Sequence, residues 1–116
     1  MPLPWWLPFG AVPETSPHDL ARALERAPGP QLLDVRTPAE FAGGRVAGAA
    51  NVPVSTLAAR LPELGLDPSR PVVAICLSAH RSAPAVRLLR QRGFDASHLA
   101  GGMIAWRAAG LPETRG

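Results

Sequence analysis

The stretch Pro71–Gly93, PVVAICLSAHRSAPAVRLLRQRG, decides how the rest of the chain is read. Pro71–Ile75 is a short, β-branched apolar run that follows the turn-forming Asp67-Pro68-Ser69-Arg70, so it predicts a buried strand. Ala85, Val86, Leu88 and Leu89 then return at helical spacing until Gly93 stops the pattern. Pro84 falls in the first turn of that helix, where its missing N–H costs nothing. Ser82 reads as the residue that caps the helix. Cys76, the only cysteine, then lies at the carboxyl end of a strand, and Leu77–Ser82 form the turn into a helix N-terminus.

That placement has chemical consequences. The N–H groups of such a turn have no helical partners and point at whatever sits above the helix. With the helix dipole they favour negative charge there by about 0.3–1 kcal/mol. A thiol in that position is expected to be held partly as thiolate. Arg81 adds a positive fork suited to oxyanions. Thiolate, amides and Arg within six residues describe a nucleophile awaiting an anionic substrate. The bland reading of a lone cysteine is a small buried apolar side chain. The nearby Arg and the helix start favour the nucleophile.

Composition bounds the rest. A chain of 116 residues can form one domain with a modest core. With 47% hydrophobic and 18% charged residues it is an ordinary globular composition. All 12 basic residues are Arg, and there are 14 Pro and 11 Gly, which points to the codon bias of a GC-rich bacterial genome rather than to a function. The net charge of +3 is small and the Arg residues are dispersed, so no nucleic-acid partner is expected. A single cysteine excludes an internal disulfide and fits a reducing compartment, read as cytoplasmic.

Residues 1–11 read as an apolar, Pro-rich N-terminal arm and residues 12–116 as a single domain. The arm lacks a basic start and a continuous apolar run, so it is a poor signal peptide, and it is too interrupted to span a membrane. Trp5, Trp6 and Phe9 are expected to pack against the domain; a dimer or membrane-surface contact is the alternative.

From Val12 strands and helices alternate. Ser16-Pro17 starts a helix with Leu20 and Leu24 on its apolar stripe, and Pro28-Gly29-Pro30 ends it. Gln31–Val35 is a second strand. Thr37-Pro38-Ala39-Glu40 is a capping box for a helix that stops at Gly43-Gly44. Ala49–Val52 is a third strand; Ser55 caps a helix to about Arg60 with Leu57 and Leu61 facing inward. Ala96–Leu99 is a further strand, and Gly101-Gly102 turns into a last helix carrying Ile104 and a core Trp106, ended by Gly110. Alternation of this kind predicts an α/β domain with a mostly parallel sheet, whose sites form beyond the carboxyl ends of its strands. Cys76 and Asp34-Val35-Arg36 stand at such ends. Asp34, Arg36 and Glu40 either position the loop through ion pairs or brace the second helix, and the capping box favours bracing. His80 could move a proton, contact a donor or simply face solvent; His18 and His98 carry no signal. No metal is expected, because three His and one Cys are scattered without ligand spacing.

The segments LLDVRTPAEFAGGRVAGAANVP (Leu32 to Pro53), CLSAHRS (Cys76 to Ser82) and LAGGMIAWRAAGLP (Leu99 to Pro112) resemble three signatures of the rhodanese-like sulfurtransferase family, in order. The resemblance implies a rhodanese-like α/β fold with a central five-stranded, mostly parallel sheet flanked by helices on both faces. It implies a catalytic Cys76 that becomes a persulfide. The donor-binding loop would be Leu77, Ser78, Ala79, His80, Arg81 and Ser82, with Asp34, Arg36 and Arg45 around it. Thiosulfate is the usual small anionic donor; cyanide, a thiol or a protein sulfur acceptor takes the sulfur. No cofactor is implied. Two positions depart from the family pattern. Ala79 stands where many loops have Gly, so the turn is expected to form without glycine's freedom at positive φ. Arg45 stands where many members have His, placing a second cation at the site mouth or merely on the surface. Two other functions stay open: a rhodanese-like carrier module acting with a protein partner, and a cysteine phosphatase or arsenate reductase. The latter generally use C-x5-R, whereas Cys76 to Arg81 is C-x4-R, a ring better sized for sulfur than for phosphate.

Overall fold

The computed structural model describes residues 4–6 and 11–116. Its strands are β1 (Glu14–Thr15), β2 (Gln31–Asp34), β3 (Ala50–Asn51), β4 (Val72–Ile75) and β5 (Ala96–Leu99). Its helices are α1 (Pro17–Leu24), α2 (Pro38–Gly43), α3 (Val54–Arg60), α4 (Ser82–Gln91) and α5 (Gly102–Ala108), with a 3-10 turn at Leu61–Glu63. The five strands form one sheet in the order β1-β5-β4-β2-β3, and every pairing is parallel.

Burial explains the strand sequences. β4 is Val-Val-Ala-Ile with all four residues buried, as a central strand covered on both faces requires. Its alternate residues feed two cores. Val72 and Ala74 join Leu33, Val35, Leu57, Val86 and Leu89 on the α3–α4 face. Val73 and Ile75 join Leu20, Leu32, Leu99, Met103 and Trp106 on the α1–α5 face. Trp106 is core, as its sequence context implies, with Nε1 donating to Pro112 O at 2.9 Å.

Local signals act where expected in α1 and α2. Ser16 Oγ accepts from Asp19 N–H at 3.1 Å with Pro17 at the first helical position. Thr37 and Glu40 make both hydrogen bonds of the capping box. One strand has no counterpart in the sequence reading, and three expectations need correction. β1 has no local signal beyond Pro13; it is two residues long and exists because it pairs with β5, Glu14 beside His98 and Thr15 beside Leu99. α3 begins at Val54 after Pro53, so Ser55 lies inside it and caps nothing. Ser82 is the first residue of α4, and that helix has no side-chain cap. Ala79 does take a positive φ, +83°. Trp5 is half-buried against the α3–α4 core and Trp6 is largely exposed. Phe9 lies outside the described residues. Among the described residues, no helix is long and apolar enough to cross a membrane.

The chain runs from β2 outward to β3, then returns past β2 to β4 and on to β5. The direction of winding therefore reverses between β2 and β4, and a crevice opens beyond their carboxyl ends. Cys76 follows β4 there and Arg36 follows β2.

Candidate active site

The cysteine loop is anchored from below by α5. Met103 N–H donates to Cys76 O at 2.8 Å and Ile104 N–H to Leu77 O at 3.0 Å, so two free amides of one helix end fasten the exit of β4. This approach needs glycine. A Cβ on Gly102, which has φ +60°, would lie 2.4 Å from Cys76 O.

Above that anchor, Cys76 is buried and its Sγ accepts from Ala79 N–H at 2.8 Å. The backbone N–H groups of Leu77, Ser78, His80 and Arg81 donate to no protein acceptor among the described residues. Unpaired amides grouped beside a sulfur are unusual, since most such groups find partners. Ser78 and His80 are exposed on the rim, and Leu77 and Arg81 are half-buried. Ala79 contributes its amide at the cost of a left-handed conformation, about 1–2 kcal/mol for a residue with a Cβ. Strain stored in one loop residue is characteristic of functional turns.

Arg81 does not stand free over the loop. Its Nη1 and Nη2 donate to Glu40 Oε1 and Oε2 at 2.6 and 2.8 Å, a bidentate pair joining α4 to α2. Glu40 therefore has two tasks, because Oε1 also accepts from Thr37. The Arg81 hydrogen bonds are the main reason its carboxyl is lowered from 4.5 to about 2, with Thr37 helping and burial opposing. Arg81 is raised above its ordinary value, first by the Glu40 hydrogen bond, with smaller pulls from the nearby charges of Cys76 and Asp34.

The other three residues singled out from sequence divide. Asp34 and Arg36 form a buried bidentate pair (Nη2–Oδ2 2.7 Å), and Arg36 Nη2 also donates to Gly44 O at 2.7 Å. Asn51 Nδ2 donates to Asp34 O and Arg36 O, which closes the β2–α2 turn. Arg45 is drawn away toward the C-terminus. It forms an antiparallel bridge with Thr114, its Nη1 donates to Gly116 O at 2.9 Å, and its guanidinium lies 4.6 Å from the Phe41 ring centre. No hydrogen bond or ion pair joins Arg45 to residues 76–82 among the described residues.

His98, read from sequence as carrying no signal, is buried beside the loop. Its Nδ1 lies 2.8 Å from Ser82 Oγ, and Ser82 Oγ is 3.4 Å from Cys76 Sγ. Its Nε2 lies 3.3 Å from Glu14 Oε1. The Ser82 hydroxyl, freed from capping, is thus part of a buried polar chain. A polar Ser97-His98 pair inside a short buried strand was the available clue. An open hollow of about 350 Å³ borders the loop, lined by residues that include Trp5, Trp6, Val54, His80 and Arg81. Among the described residues, no three His, Cys, Asp or Glu side chains gather as a metal site would require.

A parallel five-stranded sheet with a cysteine loop between β4 and α4 defines the class. The rhodanese-like domain family matches residues 16–109, and the chain belongs to that family. It is 37% identical to a protein named sulfurtransferase from Allochromatium vinosum, over 87% of this chain and 94% of that protein. It is 42% identical to an HTH-type transcriptional regulator of Mycobacterium tuberculosis over 73% of this chain, spanning only 38% of the regulator's length. The fold is similar to the crystal structure of a rhodanese-related protein from Thermoplasma volcanium, with a TM-score of 0.80 at 29% identity, covering 89% of this chain and 98% of that one.

Proposed function

We propose that the protein is a sulfurtransferase that carries sulfane sulfur on Cys76, taken from a small anionic donor such as thiosulfate. The observation that carries this reading is the set of loop amides: Ala79 N–H directed at Sγ, with the neighbouring amides free of protein acceptors among the described residues. Such a cradle suits a terminal persulfide sulfur, an anion that needs several donors around one atom.

The chemistry takes two displacements. Cys76 thiolate attacks the outer sulfur of thiosulfate. A new S–S bond forms, the donor's S–S bond breaks, and its electron pair leaves on sulfite. The loop amides hold the terminal sulfur of the persulfide. A nucleophilic acceptor then takes that sulfur and the electron pair of the cleaved bond returns to Cys76. Arg81 sits at the entrance, its fork kept in place by Glu40. Its remaining N–H groups, which meet no other acceptor among the described residues, can turn to the donor's oxyanion. Leu77, Ser78 and His80 complete the rim, while Asp34 and Arg36 hold the neighbouring turn without touching the sulfur. The hollow beside Trp5 and Trp6 favours an acceptor larger than cyanide, a thiol on an organic or peptide scaffold. A carrier that hands sulfur to a protein partner would use the same face.

Steady-state kinetics with thiosulfate and cyanide test the reading. Parallel double-reciprocal lines are expected, as for any covalent two-step cycle, with no turnover by Cys76→Ser. Hydrolysis of aryl phosphates faster than consumption of thiosulfate, at matched concentrations, would replace this reading with a phosphatase.

A further inference from the structure

We infer that Cys76 exchanges its proton with solvent through a relay of Ser82, His98 and Glu14, so that His98 is a positioning residue for the nucleophile. The inference deepens the proposed function, since it rests on Cys76 being the reacting group.

The geometry is a chain of contacts. Cys76 Sγ is buried, yet it lies 3.4 Å from Ser82 Oγ, which lies 2.8 Å from His98 Nδ1. His98 Nε2 lies 3.3 Å from Glu14 Oε1, and the Glu14 side chain is 60% exposed. A buried sulfur is thus connected to water by three side chains from α4, β5 and β1. A carboxylate at Nε2 selects the tautomer with its proton on Nε2, leaving Nδ1 as an acceptor. The Ser82 hydroxyl then donates to Nδ1 at 2.8 Å in preference to Ala79 O at 3.2 Å, and its oxygen accepts from the Cys76 S–H.

The step balances within these groups. The Cys76 S–H bond breaks and an O–H bond forms on Ser82. The original Ser82 O–H bond breaks and an N–H bond forms on His98 Nδ1. The products are a thiolate, an unchanged serine hydroxyl that now donates to the sulfur, and an imidazolium whose Nε2–H faces Glu14. Ala79 N–H already donates to the same sulfur, so both sides of the thiolate are met. The reverse path reprotonates the thiol when the acceptor has left with its sulfur.

The charges around His98 place the imidazolium's support on Glu14. On α4 and its cap, Arg81 is held by Glu40, Arg90 by Ala96 O and Asp95, and Arg87 Nε by Trp5 O. β4 presents Val72 and Ala74 to this face. Glu14 on β1 is the carboxylate that contacts the imidazole.

The single cysteine and the absence of tyrosine make the test clean, because thiolate absorbance near 240 nm then reports Cys76 alone. Absorbance is followed against pH for the full chain, Glu14→Gln and His98→Asn, with the fold checked by circular dichroism. Glu14→Gln keeps a hydrogen-bonding group at an exposed position and removes the charge, so it stays informative where the buried His98→Asn fails to fold. The relay predicts that thiolate appears about one pH unit higher in Glu14→Gln and higher still in folded His98→Asn. Superimposable titrations of the full chain and Glu14→Gln overturn it. Thiosulfate turnover in the full chain distinguishes the outcomes: titrations that coincide while turnover persists remove the relay but leave the sulfurtransferase reading standing.

Discussion

Two turns leave adjacent strands at the same end of the sheet, and they are built on opposite principles. The β2–α2 turn satisfies itself. Asp34 and Arg36 neutralise each other in the core, Arg36 and Asn51 take up the carbonyls of Gly44, Asp34 and Arg36, and Thr37 and Glu40 close the helix start. The β4–α4 turn does not. Its helix has no side-chain cap, Ala79 is held at φ +83°, and four of its amides have no protein acceptor among the described residues. The first turn is scaffold. The second is kept incomplete by the scaffold around it: Glu40 of the first reaches over to fix Arg81 of the second, and α5 fastens its base. A loop that satisfied its own amides would have none left for a substrate.

The largest test of this contrast is Arg36→Ala. It leaves Asp34 charged and buried without its partner, so chemical denaturation at neutral pH is expected to show a loss of about 3–5 kcal/mol. A loss no larger than that of an exposed substitution would show that the scaffold turn is not the rigid member of the pair.

Arg81→Ala acts on the incomplete turn. On the proposed reading it lowers kcat/KM for thiosulfate by a charge-assisted contact, about 1.5–3 kcal/mol, while the fold persists. Arg81→Lys recovers only part, because an ammonium lacks the fork that meets Glu40. Unchanged kinetics in Arg81→Ala would reduce Arg81 to a strut between α4 and α2.

The link between the turns is pH-sensitive with a definite sign. Glu40 has a folded-state value of about 2, below the ordinary 4.5. Its contribution to stability is therefore complete above the ordinary value and is lost as pH falls from there toward about 2. Glu40→Gln loses the ion pair while its amide oxygen can still accept from the Thr37 N–H, a cost of up to about 1 kcal/mol at neutral pH, and its denaturation midpoint should fall less steeply over that acid range. Equal acid sensitivity in both proteins would place the titrating group elsewhere.

The smallest effect is expected from Ala79→Gly. Relief of the positive φ gains about 1–2 kcal/mol, and glycine's added freedom in the unfolded chain takes back about 0.5–1 kcal/mol. A slight rise in melting temperature with sulfur transfer intact is the predicted outcome. A fall would mean that the loop conformation is not strained.

The same contrast explains what the sequence disclosed. The scaffold's cap is local: Thr37 and Glu40 are three residues apart, and the pattern names its own hydrogen bonds. β4 and α4 were legible from a buried β-branched run and a helical stripe, which placed Cys76 at a strand end. The features that make the turn a site depend on distant residues. Glu40 meets Arg81 across 41 positions, His98 meets Ser82 across 16, and Glu14 meets His98 across 84. Ser82 has the right chemistry for a cap, but a buried histidine and a thiol compete for its hydroxyl and win. Arg45 was ambiguous for the same reason, since its partners Thr114 and Gly116 stand at the far end of the chain. β1 is a two-residue strand defined by its neighbour rather than by its own residues.

The central claim is that the unpaired amides hold a sulfur atom on Cys76. The mass of the intact protein after incubation with thiosulfate and desalting tests it most directly. A gain of one sulfur atom is expected, absent in Cys76→Ser because no other thiol exists in the chain. An unmodified mass after both thiosulfate and a persulfide donor would contradict it.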